Sequence, residues 1–314
     1  MKNIVTIGGG TGTFMVLSAL REYPVHLTAV VSMADDGGST GLLRDQYGAL
    51  PPGDVRRALV ALSESNQVMR DLFSYRFENG GLQGHSFGNL FLTVLEKVTG
   101  DFGSAVREAG NILNVNGEVV PVTLDDVRLC ARLEDGKIIR GETNIDIPRD
   151  TARAGIKEVW LEPEARLNPS VERVLSAADL IIIGPGDLYT SLIPNLLVKG
   201  MPAAIRRSKA KKAYVVNLMT KFGETNGFKA QDFVTEIEKY LGKGVLDDVI
   251  FNNKRPPEKI LARYRREKAE FVDVKGLDRA RRKPRYVLAD LIDKGRFVRH
   301  GPRRKLAKIL LDLI

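Results

Sequence analysis

Short apolar runs alternate with segments of helical periodicity along most of the chain. The first run, Ile4–Ile7, ends in glycines and is followed by the helical segment Phe14–Leu20 and a second apolar run, His26–Ser32. Strand, glycine turn, helix and strand form a βαβ unit, which is typical of a parallel sheet. Leu180–Ile183 is apolar at every position, as expected of a strand that is buried on both faces of such a sheet.

The same alternation predicts further elements on either side of one segment of different character. We expect strands at 212–218 and 248–252, and helices after Gly53, after Asn89, at 231–241 and at 304–314. Residues 114–163 instead contain short alternating runs, such as Glu118–Val122 and Lys137–Gly141, which favour β-hairpins. The pattern therefore predicts an α/β fold with a mostly parallel sheet and a small β-rich excursion.

Loops rich in glycine, hydroxyl and carboxylate residues follow four of the predicted strands. Ligands of open α/β sheets bind beyond the carboxyl ends of the strands. Glycine lets the backbone approach a phosphate, and a helix N-terminus adds favourable dipole charge. Turns also favour these residues, so a single loop leaves both explanations open. Four of them on one predicted edge favour a ligand site, formed by residues 8–13, 35–40, 184–191 and 217–225.

The first loop departs from the dinucleotide fingerprint. G-x-G-x-x-G starting at Gly8 requires glycine where Thr13 stands, and Asp35 and Asp36 lie 27 and 28 residues after Gly8. That spacing exceeds the ~20 residues expected for a ribose-binding acid, so NAD is poorly supported. Together with Asp54, these aspartates suit Mg²⁺ beside a phosphate, or they accept hydrogen bonds from a ribose or a base. Asp54 has the alternative role of N-cap for the helix that follows it.

Charge is concentrated near the end of the chain. Residues 254–314 carry 20 Lys and Arg against 8 Asp and Glu, whereas the remaining residues carry 28 against 31. This basic part suits an anionic partner or a solvated, salt-bridged surface. Tyr264 lies in a basic cluster and suits stacking on a base. Arg299 follows an apolar stretch that can direct its side chain into a cleft. For each of the two residues, the alternative is a position on an exposed helix face or in a salt bridge. Nucleic acid is not expected, because no binding-module motif occurs.

Other residue types restrict the chemistry. His85 is a candidate phosphate donor or base, or a hydrogen-bonded structural histidine. Cys130 is the only cysteine, which excludes an internal disulfide and a cysteine-based zinc site. The sequence shows neither a secretory pattern nor an apolar run long enough for a membrane helix. We therefore expect a soluble, cytoplasmic protein without membrane insertion.

An ordered set of motifs resembles a known family. The chain resembles the YvcK-type gluconeogenesis factors, within the broader CofD-like family, from about residue 3 to residue 310. The motifs that carry the resemblance are IGGGTG (7–12), ADDGGSTG (34–41) with Arg44, PPGDVR (51–56), HSFGNL (85–90), IGPGDLYTSLIPNLLV (183–198) and NLMTKFGET (217–225). The resemblance implies a single Rossmann-like, three-layer α/β/α domain over residues 1–314. Within it, 114–163 form a small insertion and 254–314 form a basic part that closes the site.

The resemblance also implies a function. It indicates a regulatory protein that binds a UDP-sugar, typically UDP-N-acetylglucosamine, and serves cell shape and cell-wall precursor supply during gluconeogenic growth. The resemblance implies no required cofactor, although Mg²⁺ can accompany the UDP-sugar. It is also compatible with a protein partner in cell-wall regulation and with a homodimer. The CofD branch instead transfers a phospholactyl group to a deazaflavin with Mg²⁺. A Mg²⁺-dependent transferase that acts on a phosphorylated or nucleotide-linked substrate is therefore the alternative.

The expected site residues come from the matched motifs and the basic tail. We assign 9–13 and 184–191 to phosphate. Asp35 and Asp36 are assigned to the ribose or the sugar hydroxyls or, if it is used, to Mg²⁺, and Tyr264 and Arg299 to closure of the site. No catalytic residue is assigned. Asp187 and Lys221 replace the serine and glutamine more usual in the family, and both changes are compatible with a surface position. The full ligand-binding set is Gly9, Gly10, Thr11, Gly12, Thr13, Asp35, Asp36, Gly37, Gly38, Ser39, Arg44, Gly53, Asp54, His85, Asn89, Gly184, Gly186, Tyr189, Thr190, Asn195, Asn217, Thr220, Glu224, Thr225, Tyr264 and Arg299.

Overall fold

A parallel sheet forms the centre of the protein. The computed structural model describes residues 1–148, 150, 152–278, 283–293, 300–301 and 303–314. Within these ranges the sheet has seven strands, namely β1 (Lys2–Gly8), β2 (Val25–Val31), β3 (Glu118–Pro121), β7 (Leu180–Ile183), β8 (Lys211–Val215), β9 (Asp248–Asn252) and β10 (Arg285–Ala289). Every pairing among them is parallel, in the order β10-β9-β8-β7-β1-β2-β3. The predicted α/β fold with a mostly parallel sheet is confirmed.

The strand order reverses at the middle of the sheet. From β1 the chain adds β2 and β3 on one side, and then returns to add β7 to β10 on the other. β1 and β7 are direct neighbours, with Ile7 opposite Ile183. All four residues of β7 are fully buried, which explains their continuous apolar sequence. The carboxyl ends of β1 and β7 therefore border the crevice where folds of this class bind ligands.

Helices cover the sheet in two groups. They are α1 (Gly10–Leu20), α2 (Gly38–Tyr47), α3 (Gly53–Leu62), α4 (Gln67–Ser74), α5 (Phe87–Thr99), α6 (Phe102–Ile112), α7 (Glu142–Asp146), α8 (Pro169–Ala177), α9 (Ile193–Leu197), α10 (Met201–Arg207), α11 (Ala230–Leu241), α12 (Glu258–Arg266) and α13 (Arg303–Leu311). α1 packs against α3 and α13, whereas α10 packs against α8, α9 and α11. The apolar side of α13 reaches the core through Leu306, Ala307 and Leu310. No helix in the described ranges is long and apolar enough to cross a bilayer.

The β-rich segment divides between two sheets. A small antiparallel sheet contains β4 (Arg128–Leu133), β5 (Ile138–Arg140) and β6 (Ile156–Glu162), in the order β5-β4-β6. The hairpin expected around 137–141 is therefore present. The hairpin expected at 118–122 is wrong, because β3 pairs in parallel with β2 and buries Val119 and Val120 at the edge of the central sheet. Short alternating runs of this kind occur both in edge strands and in hairpins, so pattern alone does not separate the two.

Candidate functional site

A cavity of about 870 Å³ opens at the carboxyl ends of β1, β2, β7 and β8. Its size lies within the range of ~300–1,000 Å³ that is typical of small-molecule sites. The loops that follow all four strands contribute to its wall, with 9–12, 37–38, 185–187 and 217–222 facing the opening. The structure thus brings together the four loops that the sequence placed on one edge, at the reversal of strand order.

Two helices begin at this cavity after glycine N-caps. α1 starts at Gly10 after the N-cap Gly9, and α2 starts at Gly38 after the N-cap Gly37, so neither N-cap residue has a side chain that could accept a hydrogen bond. All four glycines line the cavity. The N–H of Gly10 donates to the carboxylate of Asp54, which lies on α3. The first turns of helices carry N–H groups without intrahelical partners and partial positive charge, which favour a bound anion.

The glycine loop needs small residues because its neighbours approach closely. A Cβ added to Gly12 would lie 2.6 Å from the carbonyl carbon of Pro185 and still closer to its oxygen. A Cβ on Gly9 would lie 3.1 Å from the Cγ of Asp54 and would contact its carboxylate. The end of β1 is therefore packed against the loop after β7 on one side and against α3 on the other.

Asp54 ties α3 to the glycine loop and does not cap its own helix. The N-cap of α3 is Pro52, and Asp54 lies in the first turn. Its carboxylate accepts the backbone N–H of Gly10 at 2.9 Å and pairs with Arg57 at 3.4 Å. Burial and the neighbouring Asp35 raise the pKa of Asp54 to about 6. The N-cap expectation was wrong because a donor from another segment uses the carboxylate.

The paired aspartates point in different directions. Asp35 lines the cavity and accepts the N–H of Gly37 at 2.9 Å. Asp36 accepts the N–H groups of Glu142 at 3.1 Å and Thr143 at 2.8 Å, so it caps α7 from outside that helix. Only Asp35 of the pair faces the cavity, while Asp36 holds α7 against the wall.

Sequence analysis missed the part of the wall formed by α7 and α3. Arg57, Glu142, Thr143 and Asp146 all line the cavity. Burial, together with Asp35, Asp146, Asp36 and Asp54, raises the pKa of Glu142 to about 9. The sequence carried no signal for Glu142 or Asp146, since α7 lies between β5 and β6 of the antiparallel sheet and is held at the site by residues distant in the chain, such as Asp36 and Lys221.

A buried polar chain supports the start of α2 from behind. Arg56 Nε donates to Asn89 Oδ1 at 2.9 Å, and Asn89 Nδ2 donates to Ser39 Oγ at 3.2 Å. Ser39 Oγ lies 3.1 Å from Nδ1 of His85, which is buried and does not line the cavity. Burial and the neighbouring Arg57 lower the pKa of Arg56 to about 10. Of the two alternatives for His85, the structure shows the hydrogen-bonded, structural one.

The basic C-terminal part forms the remaining wall. Tyr264 on α12 lines the cavity, together with Glu267, Ala269 and His300. The Nε2–H of His300 donates to the carbonyl oxygen of Val216 at 3.0 Å, and burial lowers the pKa of His300 to about 4. The imidazole is therefore neutral at physiological pH. Arg299 lies outside the described residues.

The predicted site residues fall into two layers. Those that line the cavity are Gly9, Gly10, Thr11, Gly12, Asp35, Gly37, Gly38, Asp54, Gly186, Thr190, Asn217, Thr220 and Tyr264. The others lie outside the cavity wall: Thr13, Asp36, Ser39, Arg44, Gly53, His85, Asn89, Gly184, Tyr189, Asn195, Glu224 and Thr225. Several of this second group hold the wall in place, as Asp36 does for α7 and Ser39 does for α2.

Lys221 and Asp187 contact each other in the wall. Lys221 Nζ donates to Asp187 Oδ2 at 2.7 Å, and its side chain is 29% exposed. Both residues line the cavity. The expectation that both are compatible with a surface position is therefore incomplete, because they form an ion pair that borders the site.

A parallel sheet with a cavity of this kind at its strand ends is typical of α/β proteins that bind nucleotides or phosphorylated ligands, and comparison with known proteins identifies the family. A sequence profile described as "2-phospho-L-lactate transferase CofD" matches residues 4–292, and the chain therefore belongs to the CofD family. Within it, the chain is 42% identical to the gluconeogenesis factor of Bacillus subtilis over 316 residues, covering 99% of this chain and 98% of that protein. It is 45% identical to the gluconeogenesis factor of Halalkalibacterium halodurans over 276 residues, covering 87% and 84%. The predicted family is confirmed.

Solved structures share the architecture. A crystal structure of a protein from Bacillus halodurans matches with a TM-score of 0.94 at 40% identity, covering 99% of both chains. At this similarity the Rossmann-like fold of the family holds for the whole chain.

Proposed function

We propose that the chain binds a nucleotide diphosphate sugar of the UDP-N-acetylglucosamine class in the cavity at the β1–β7 crevice. The observation that carries the proposal is that α1 and α2 both begin there after glycine N-caps, whose lack of a side chain lets a ligand approach the first turns of both helices. Two N-termini that converge on one cavity match the two phosphates of a diphosphate better than they match a single anion.

The remainder of the wall offers groups for a base and a sugar. Tyr264 and Phe222 line the cavity and supply flat apolar surface for a pyrimidine. In the described part of the chain, Thr143 Oγ1 and Asn217 Oδ1 are buried in this wall without a hydrogen-bond partner. Such atoms are costly unless something satisfies them, and the hydroxyl and amide groups of a nucleotide sugar are suitable partners.

Isothermal titration with UDP-N-acetylglucosamine, UDP and NAD tests the proposal. We expect heat with both uridine ligands and none with NAD, because the glycine loop lacks the dinucleotide fingerprint. NAD binding without uridine binding would contradict it. The regulatory role in cell shape and precursor supply during gluconeogenic growth belongs to the same proposal. To test this role, variants of the chain are expressed in a strain that lacks it, during growth on a gluconeogenic carbon source. Normal cell shape should return only with a variant that retains ligand binding.

A second candidate function is a Mg²⁺-dependent transfer of a phosphorylated group. Asp35, Asp54 and Glu142 all face the cavity, and their mutual repulsion contributes to the raised pKa values of Asp54 and Glu142. Carboxylate oxygens are the donors that Mg²⁺ prefers, and Mg²⁺ is the metal that the resemblance to the CofD branch implies. Mg²⁺ would supply charge neutralisation beside a substrate phosphate.

Two measurements separate the two candidates. If Mg²⁺ takes part, the affinity for a uridine nucleotide rises with added Mg²⁺ in the parent chain and loses that dependence in Asp35→Asn. Asp45→Asn is the matched control, since Asp45 pairs with Arg128 on the surface and does not line the cavity. Equal affinity with Mg²⁺ and with a chelator would remove the support for the transferase.

A further inference from the structure

One lysine lies at the centre of three carboxylates beside the cavity. Lys221 Nζ donates to Asp146 and to Asp187 Oδ2 at 2.7 Å, and it lies 3.5 Å from Glu224 Oε1. The three carboxylates each place an oxygen within 4.8 Å of the others. An ammonium group has three N–H donors, so it can serve one carboxylate with each.

The three carboxylates come from three separate segments of the wall. Asp146 ends α7, Asp187 precedes the turn of π-helix Leu188–Leu192, and Glu224 belongs to the loop after β8. Glu224 is itself fixed, because it accepts the N–H of Tyr189 at 2.9 Å and the hydroxyl of Thr190 at 3.1 Å. The ammonium therefore links α7, the loop after β7 and the loop after β8, and the Thr190 hydroxyl, 3.4 Å from Asp146 Oδ1, is a second polar link among the same segments.

Burial makes a cation at this point necessary. The side chain of Glu224 is 0% exposed, and those of Asp146 and Asp187 are 24% and 39% exposed. Burial and Asp187 raise the pKa of Glu224 to about 7, and Lys221 opposes that rise. Burial alone would lower the pKa of Lys221, but Glu224, Asp187 and Asp146 together raise it. Without a cation, three ionised carboxylates at this spacing would repel one another.

We propose that Lys221 is a tethered cation: its ammonium occupies the place that a divalent metal would take among Asp146, Asp187 and Glu224, and it joins the three wall segments. This cluster is consequently closed to free cations. Any effect of Mg²⁺ on ligand binding then arises at other carboxylates of the cavity, such as Asp35 and Asp54. The inference does not depend on which ligand the cavity binds.

Lys221→Met, which retains the length of the side chain without its charge, tests the proposal with Mn²⁺ as the probe. We expect Lys221→Met to melt several degrees below the parent chain in a chelating buffer. Millimolar Mn²⁺ should then raise its melting temperature more than that of the parent, with Mn²⁺ affinity higher by roughly tenfold or more. The double variant Lys221→Met/Asp187→Asn, which lacks one of the three carboxylates, should lose most of this response. Equal Mn²⁺ responses of the parent and Lys221→Met, or unchanged stability in the chelator, would overturn the proposal.

A measurement on the unmodified chain covers the case in which Lys221→Met does not fold. Reductive methylation with detection by mass spectrometry reports which lysine amines are free to react. We expect Lys221 to stay unmodified under conditions that modify Lys275, whose side chain is 91% exposed. Methylation of Lys221 at the rate of Lys275 would show that its ammonium is not held by the three carboxylates, and would refute the inference.

Discussion

Gly12→Ala tests the contact between the glycine loop and the loop after β7. In a helix interior this substitution ordinarily stabilises by ~1 kcal/mol, because alanine restricts the unfolded chain and has the higher helix propensity. At Gly12 the new Cβ would lie 2.6 Å from the carbonyl carbon of Pro185, and the obstacle is backbone, which cannot rotate away. Overpacking of this kind costs ~1–3 kcal/mol, so after the helix gain is subtracted we expect a net loss of up to about 2 kcal/mol in the free energy of unfolding. The loop 184–187 must also move, which displaces one wall of the cavity.

Gly110→Ala is the matched control within the same protein. Gly110 lies inside α6, and an added Cβ would meet its nearest neighbour, Leu59, at 3.8 Å, an ordinary contact. We expect this variant to gain about 0.5–1 kcal/mol. Equilibrium unfolding in urea measures both changes, and titration with a uridine nucleotide measures the affinity, which should fall only in Gly12→Ala. A Gly12→Ala protein that is as stable as Gly110→Ala and binds like the parent would refute the packing described here.

Three further predictions address separate parts of the structure. In the folded chain the pKa of His300 is about 4, below its ordinary value of 6.5, so the free energy of unfolding should fall by about 3 kcal/mol as the pH drops from 6.5 to about 4. Urea unfolding of His300→Gln should show a correspondingly weaker pH dependence between these two values. Tyr264→Ala should weaken uridine nucleotide binding by ~10- to 100-fold in calorimetry while Tyr264→Phe retains most of it, because a flat ring is what the base requires; equal losses in both variants would contradict stacking. Asn89→Leu should lower the free energy of unfolding in urea by about 3 kcal/mol, because it removes the hydrogen-bond partner that Arg56 Nε and Ser39 Oγ share in the core. An unchanged urea midpoint would show that the chain of buried polar side chains is dispensable.

The strands and the loops after them were predictable because their signals are local. A β-branched, fully apolar run such as Leu180–Ile183 between turn residues favours a strand buried on both faces. The glycines after β1 and β7 are required where the backbones of two loops approach each other. Placing four such loops on one edge then followed from the parallel arrangement.

The carboxylates of α7 were not predictable, because their position depends on a distant contact. Glu142 and Asp146 lie between β5 and β6 of the antiparallel sheet in the chain, and distant contacts, such as the two N–H groups that Asp36 accepts at the start of α7, hold them at the cavity. Nothing in the sequence around Asp36 distinguishes a carboxylate that faces a ligand from one that caps a helix a hundred residues later. The same reason applies to Asp54, whose partner Gly10 belongs to another segment.

The most direct test of the proposed site is amide hydrogen exchange with and without UDP-N-acetylglucosamine. If the diphosphate lies between the first turns of α1 and α2, the ligand should slow exchange in both 9–12 and 37–39, while the amides of α6 on the far side of α3 should stay unchanged. Binding that leaves exchange in both glycine segments unaltered, or no binding at saturating concentration, would contradict the assignment of this cavity to a nucleotide sugar.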